Sequence, residues 1–184
     1  MADIKKLAHE VYPYVVEMRR DFHRHPEASF EEFRTTKRIA EELDKMGIPY
    51  RLFEPTGLVG EIKGGKPGKC IALRADIYAL TTTEKTGLPY ASENEDYMHA
   101  CGHDTHTAML LGAAKILSSV KDELCGTVKL IFQPAEELAS GAKCIVEQGV
   151  LDGVDAAFGQ HIFSRRPAGS LSLSEGTLDR KSVV

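Results

Sequence analysis

The stretch "MHACGHDTH", Met98 to His106, sets a cysteine, three histidines and an aspartate within nine residues. Thiolate, neutral imidazole and carboxylate are the donors that zinc and its transition-metal neighbours prefer. Cys101 and His103 lie two apart, and Gly102 between them allows the backbone bend that turns both side chains toward one ion. Further along, "QPAEE" ends in the adjacent carboxylates Glu136 and Glu137. From an extended segment two neighbouring side chains diverge, so one can hold a metal while the other faces a water. Metal-assisted hydrolysis needs that division of labour. Three more polar residues complete the set: Arg74 and Asp76 in "RAD", and His161 in "GQHI". Singly, each is as well explained by a hydrogen-bonded core residue or a capped turn; together they point to a metal hydrolase. A purely structural zinc site would explain neither Glu136 nor the open glycine-flanked loop.

These groups need elements to bring them together. Ile4, Leu7, Ala8, Val11, Tyr14, Val15 and Met18 recur at three and four, which predicts an amphipathic helix from Ala2 to about His25 with a kink or break at Pro13. Ser29 with Glu32 three residues on reads as a capping box opening a second helix that closes at Gly47. "PYRLFEP", "GLVGEIKG" and "CIALRADI" read as strands, with "GGKPGK" as a turn between the last two. The polar stretch from Tyr78 to His99 shows no period and reads as a long functional loop. "THTAMLLGAAKILSSV" is a helix that Asp104 or Thr105 would cap; "TVKLIFQPA" is a strand halted by Pro134; "SGAKCIVEQGVL" is a short helix closed by Gly149; "VDAAFGQHIF" is a strand. Strands alternating with helices predict an α/β domain with a substantially parallel sheet. The carboxyl ends of such strands share one crevice, where Asp76, Glu136, Glu137 and His161 would meet the Cys101–His103 loop.

Composition narrows the partners. With 184 residues and 42% hydrophobic content the chain suits one core rather than two, and a net charge of −4 offers no basic face for nucleic acid or an anionic membrane. The charged N-terminus lacks a signal-peptide core and no apolar run reaches a membrane span, so a cytoplasmic location is expected. Cys70, Cys125 and Cys144 are irregularly spaced and read as small apolar filler rather than a disulfide framework.

The motifs "RRDFHRHPEASFEE", "ALRADIYAL", "TGLPYASEN", "MHACGHDTHTAMLLGAA", "IFQPAEE" and "GAKCIVEQGVLDGVDAAFGQHI" run in an order and spacing that resembles the N-terminal half of metal-dependent amidohydrolases of the aminoacylase and carboxypeptidase superfamily. The branch holding hippurate hydrolases, N-acyl-amino-acid amidohydrolases and auxin-conjugate hydrolases is the most similar. The resemblance runs from Met18 to His161. It implies a three-layer αβα catalytic domain with a largely parallel mixed sheet and two divalent metal ions, with zinc, manganese, nickel and cobalt as candidates. Cys101 would bridge the ions, and His103, Glu137 and His161 would each ligate one. Glu136 would be the general base, and Asp76 would support catalysis by orienting a ligand or a loop. Asp104 and His106 stay open between orienting and capping roles, while His23, His25 and His99 read as structural. The implied reaction is hydrolysis of the amide bond of N-acyl amino acids, such as N-acetyl or N-benzoyl conjugates, by a metal-activated water.

Two departures stand out. Family members usually read "RADMDALP" where this chain has "RADIYALT", so Tyr78 replaces an acidic residue and Thr81 a proline. The relatives are also considerably longer. The expected organisation is therefore an incomplete catalytic domain over residues 1–165 and a divergent tail over 166–184, where relatives begin a lid domain through which they dimerise. The last metal-ligating histidine would lie beyond this chain. The alternative expectation is a catalytically inactive fragment that at most binds metal or assembles with a separate C-terminal piece.

Overall fold

The computed structural model describes residues 2–138 and 140–172, so most of the expected tail lies outside the described residues. Helix α1 spans Ile4–Arg24, opened by the Asp3 carboxylate accepting the Lys6 amide at 3.0 Å. The break expected at Pro13 does not occur. Proline removes one helical donor, and the buried Met18 and Phe22 with the packed Tyr14 and Val15 hold the helix to the core. Gly112 of the facing helix makes this possible: a Cβ there would lie 2.5 Å from Val15 Cγ2.

Helix α2 spans Phe33–Lys45, with Glu32 at its N-cap making no side-chain cap bond. The predicted Ser29–Glu32 capping box is replaced by Glu27, whose carboxylate accepts the Arg34 and Thr35 amides at 2.9 and 2.7 Å. Glu32 is diverted inward: fully buried, it accepts the Thr56 hydroxyl at 2.5 Å and the Ala135 amide at 3.1 Å.

The main sheet contains β1 (Tyr50–Leu52), β2 (Leu58–Lys63), β3 (Lys66–Asp76), β6 (Cys125–Gln133) and β7 (Ala156–Gly159), in the order β1-β2-β6-β3-β7. A two-stranded ribbon, β4 (Leu80–Thr81) with β5 (Tyr97–Met98), ties the ends of the stretch read as a loop. β3 pairs in parallel with β6 and β7, whereas β2 is antiparallel to both β1 and β6, so the sheet is mixed and its parallel half lies where the polar groups collect. The expected turn "GGKPGK" is shorter than read: β3 already starts at Lys66, with an irregular register up to Cys70.

Helix α3 (His103–Ser119) joins α1 and α2 on one face of the sheet, where Phe22, Ile39, Leu43 and Leu111 close over Leu58, Leu130 and Phe132. The short α4 (Gly141–Glu147) covers the other face, setting Ile145 with Val150 and Phe53 against Ala72 and Ile131. Alternation along β6 divides the layers, with Leu130 and Phe132 facing one way and Ile131 the other. The three-layer αβα arrangement is as expected, with a thin second outer layer. Among the described residues no helix is long and apolar enough to cross a membrane.

Candidate metal centre

The carboxyl ends of β3, β6 and β7 and the start of α3 converge. β3 ends at Asp76, and pairing continues through the Ile77 amide to the Gln133 carbonyl at 3.0 Å. After β6, Ala135 adopts φ 48° and a 3-10 turn over Glu136–Leu138 follows. Glu136 and Glu137 therefore leave a tight turn rather than the extended segment read from sequence. Their side chains still diverge, because neighbours on a 3-10 helix point about 120° apart. His161 follows β7, and α3 begins after Gly102 at φ 89°, where a Cβ would lie 2.2 Å from Ile162 Cδ1. The glycine thus lets the His161–Ile162 segment close onto the Cys101 loop.

Three donors meet there: Cys101, His103 and His161 each offer an atom within 4.8 Å of the others. His103 Nδ1 donates to the Tyr78 carbonyl at 2.8 Å, and His161 Nδ1 to the Ile162 carbonyl at 2.6 Å. A carbonyl only accepts, so both rings carry their proton on Nδ1 and keep an Nε2 lone pair free. His161 Nε2 lies 3.2 Å from Cys101 Sγ. Burial holds the His103 imidazole below its ordinary value, in the neutral form that ligates. Burial and the carboxylates of Glu137, Asp76 and Glu136 push the Cys101 thiol up. A cation would relieve that negative surplus and release the thiolate, so the donor set fits a divalent ion.

A second cluster, Asp76, His103 and His106, is equally compact but differently committed. Asp76 Oδ1 takes His106 Nδ1 at 2.6 Å, and its Oδ2 takes the Arg74 guanidinium at 2.9 Å. His106 Nε2 accepts the Ile162 amide at 2.9 Å. Both nitrogens of His106 are used, so it braces the His161 segment rather than offering a ligand atom. Burial favours protonation of Asp76, but the hydrogen bond from His106 and the charge of Arg74 outweigh it and hold the carboxyl well below its ordinary range. Asp76 stands 3.9 Å from His103 Nε2.

Glu136 and Glu137 are exposed. Glu136 Oε2 accepts the Tyr78 hydroxyl at 3.1 Å. Glu137 lies outside both compact donor clusters among the described residues, although its charge acts on Cys101.

Of the two roles left open for Asp104, it does not take the cap of α3, where Gly102 stands. It is fully buried and binds His23 Nδ1 at 2.6 Å and Arg19 Nε at 3.0 Å, while His23 Nε2 reaches Glu84 at 3.2 Å. His99 is buried, and burial holds its imidazole down to about 4; neither ring nitrogen has a partner among the described residues. Sequence reasoning did not foresee the contributions of Tyr78, Gln133 and Ile162. Gln133 Oε1 accepts Arg74 Nε at 2.9 Å, and the Ile162 group that matters is a backbone amide, which no side-chain pattern encodes. Tyr78 did leave a signal, as a tyrosine where the resemblance expects an acid.

Known proteins share the sequence and fold of this chain. The family described as Peptidase family M20/M25/M40 matches residues 72–176. N-acetylcysteine deacetylase of Bacillus subtilis (strain 168) is 48% identical over 179 residues, covering 92% of this chain and 46% of that protein. N-acyl-L-amino acid amidohydrolase of Geobacillus stearothermophilus is 42% identical, over 96% of this chain and 48% of its own length. The crystal structure of the Bacillus subtilis YXEP protein, described as a dinuclear metal binding peptidase from the M20 family, superposes with a TM-score of 0.86 at 47% identity, covering 95% of this chain and 48% of that one. The chain spans about half the length of the curated relatives it matches.

Proposed function

The chain belongs to peptidase family M20/M25/M40, and from that premise we propose that it carries the ligand and proton-transfer half of a centre that hydrolyses the amide bond of N-acyl amino acids. The observation that carries this reading is the convergence of donor atoms of Cys101, His103 and His161 within 4.8 Å, with the carboxylates of Glu136 and Glu137 near enough to act on the Cys101 thiol. The two relatives named for N-acetylcysteine and N-acyl-L-amino acid chemistry support the substrate class.

In this proposal Cys101, as the shared ligand, together with His103, His161 and Glu137 would hold two divalent ions. The soft thiolate favours zinc over manganese, with nickel and cobalt as competent substitutes. Bound there, the cations would supply Lewis acidity toward a water and toward the amide carbonyl. Glu136 takes the proton that the water loses as its oxygen bonds to the carbonyl carbon, and returns it to the amide nitrogen as the C–N bond breaks. The products are a carboxylic acid and a free amino acid. Asp76 acts through its neighbours, holding His106 against the Ile162 amide and so keeping His161 facing Cys101. A small-molecule substrate, a cytoplasmic location and dimerisation through a further domain belong to the same proposal.

Metal analysis of the purified chain, combined with a panel of N-acetyl and N-benzoyl amino acids, tests it. The expected result is bound divalent metal, turnover that a chelator abolishes, and a loss of roughly 100-fold or more in Glu136→Gln with metal retained. Turnover at the original rate in that variant overturns the base assignment. One bound ion without turnover instead identifies the chain as an inactive metal binder.

A further inference from the structure

We propose that Tyr78 is a positioning residue for Glu136, aiming the base carboxylate through its hydroxyl while its carbonyl sets a ligand histidine; this rests on the reading of Glu136 as the base.

Three contacts made by one residue carry the inference. The Tyr78 hydroxyl donates to Glu136 Oε2 at 3.1 Å. The Tyr78 carbonyl accepts His103 Nδ1 at 2.8 Å, which directs Nε2 of that ring toward Cys101 and His161. The two rings also pack, with centroids 4.4 Å apart. Tyr78 is 1% exposed, so its ring has little freedom to swing away. Glu136 has the opposite surroundings: it is exposed, on a single 3-10 turn, with a flexible side chain. An exposed glutamate samples many rotamers, and restricting it to one raises the fraction of molecules ready for proton transfer. The phenol is an oriented donor mounted on a rigid ring.

An acid at position 78, as the resemblance expects, could not do this. A shorter carboxylate facing Glu136 would accept rather than donate and would repel it. The replacement therefore changes how the base is held rather than removing a needed group. Because the hydroxyl meets Oε2, Oε1 is left to receive the proton, and the hydrogen bond makes the two oxygens inequivalent.

The first test needs no turnover. In the chain labelled at tyrosine Cζ with carbon-13, the Tyr78 resonance, assigned by its loss in Tyr78→Phe, shifts more in Glu136→Gln, which changes its hydrogen-bond acceptor, than in Glu137→Gln, which removes only a neighbouring charge. An unmoved resonance in Glu136→Gln overturns the proposal, and this arm leaves Tyr78 itself intact. The second test is kinetic. Tyr78→Phe keeps the ring and the carbonyl, so metal content stays unchanged, while kcat falls roughly tenfold, the loss expected for one charge-assisted hydrogen bond, with KM within about twofold. The same substitution made on Glu136→Gln causes no further loss; an equal further loss places its effect elsewhere and overturns the proposal. Undiminished turnover in Glu136→Gln overturns the base reading itself. Undiminished turnover in Tyr78→Phe beside an impaired Glu136→Gln overturns only the positioning role.

Discussion

Truncating Glu32 to alanine isolates what holds the Glu136 turn from the chemistry proposed for it. The carboxylate is fully buried between α2 and the end of β6, where it receives the Thr56 hydroxyl and the Ala135 amide. Ala135 is in the left-handed region, at φ 48°, immediately before Glu136. Glu32→Ala leaves both donors buried and unpaired. The backbone amide cannot turn away, and an orphaned buried group costs about 1–3 kcal/mol; the hydroxyl can rotate and recovers part of its share. The vacated volume adds about 1 kcal/mol, so the expected loss is about 3–5 kcal/mol, a large part of an ordinary domain's stability. Glu32→Gln differs: its carbonyl oxygen can keep the Ala135 amide while its amino group donates to Thr56 Oγ1, so the loss stays within about 1 kcal/mol at low pH.

The pH dependence gives a second, independent sign. Burial raises the Glu32 carboxyl above its ordinary 4.5, despite opposing hydrogen bonds from Thr56 and Ala135. The folded state then holds the proton more tightly than the unfolded chain does. Its stabilising contribution is complete below 4.5 and fades as pH rises through the raised folded value. Glutamine has no such proton, so the difference between the native chain and Glu32→Gln should move in favour of glutamine as pH rises from 4 toward neutrality. Urea denaturation of the three proteins at several pH values measures both effects. An alanine variant within about 1 kcal/mol of the native chain, or a native–glutamine difference that ignores pH, refutes the reasoning.

The other elements of the site give sharper local expectations. His23 donates toward two carboxylates: the Asp104 hydrogen bond raises its pKa, against burial, and Glu84 adds to the rise. Its contribution is complete below the ordinary 6.5 and is lost as pH climbs through the raised folded value. Faster exchange at alkaline pH of the Ser92 amide, which Glu84 accepts at 2.6 Å, should report this in the native chain; the same pH profile in His23→Gln, after allowing for intrinsic exchange, would dismiss it. Gly102→Ala forces a side chain onto φ 89° and against Ile162, for a combined destabilisation of roughly 2–4 kcal/mol by denaturation; a stability close to that of the native chain would show that the loop readily rearranges. Asp76→Asn removes the charge holding His106 and should weaken zinc binding roughly 10–100-fold in a competition titration, and unchanged affinity would mean that His161 is oriented without that bridge.

What the sequence discloses here follows the range of the forces involved. Helix α3 and strand β6 were legible because their burial follows from local periods, Ala108, Leu111 and Ala114 along one and Leu130 and Phe132 along the other. The boundaries failed where a side chain had a distant partner. Glu32 satisfies the local pattern of a capping box, yet its carboxylate is taken by Ala135, 103 residues away, and Glu27 caps the helix instead. Asp104 fits a helix cap equally well and is claimed by His23, 81 residues away. In both cases a buried carboxyl group gains more from several converging donors than from one exposed helix end. Pro13 failed in the opposite direction, since packing outweighed a local penalty.

The histidines show most clearly why residue type and spacing could propose the site without resolving it. His103 and His106 occupy successive turns of one helix, are buried to the same degree and both face Asp76. Only the partner of Nδ1 and the fate of Nε2 distinguish them. In His103 a carbonyl fixes the proton and leaves the outer nitrogen open, whereas in His106 a carboxylate takes one nitrogen and the Ile162 amide occupies the other. That amide belongs to the segment bearing His161, so the histidine with both nitrogens committed holds a proposed ligand in place. A His106→Gln chain should therefore retain Cys101 and His103 as zinc donors while losing the constraint on His161, so that cobalt substituted at the site shows a weakened imidazole contribution with its thiolate charge-transfer band intact. Loss of the thiolate band along with the imidazole contribution would instead make His106 part of the ligand set.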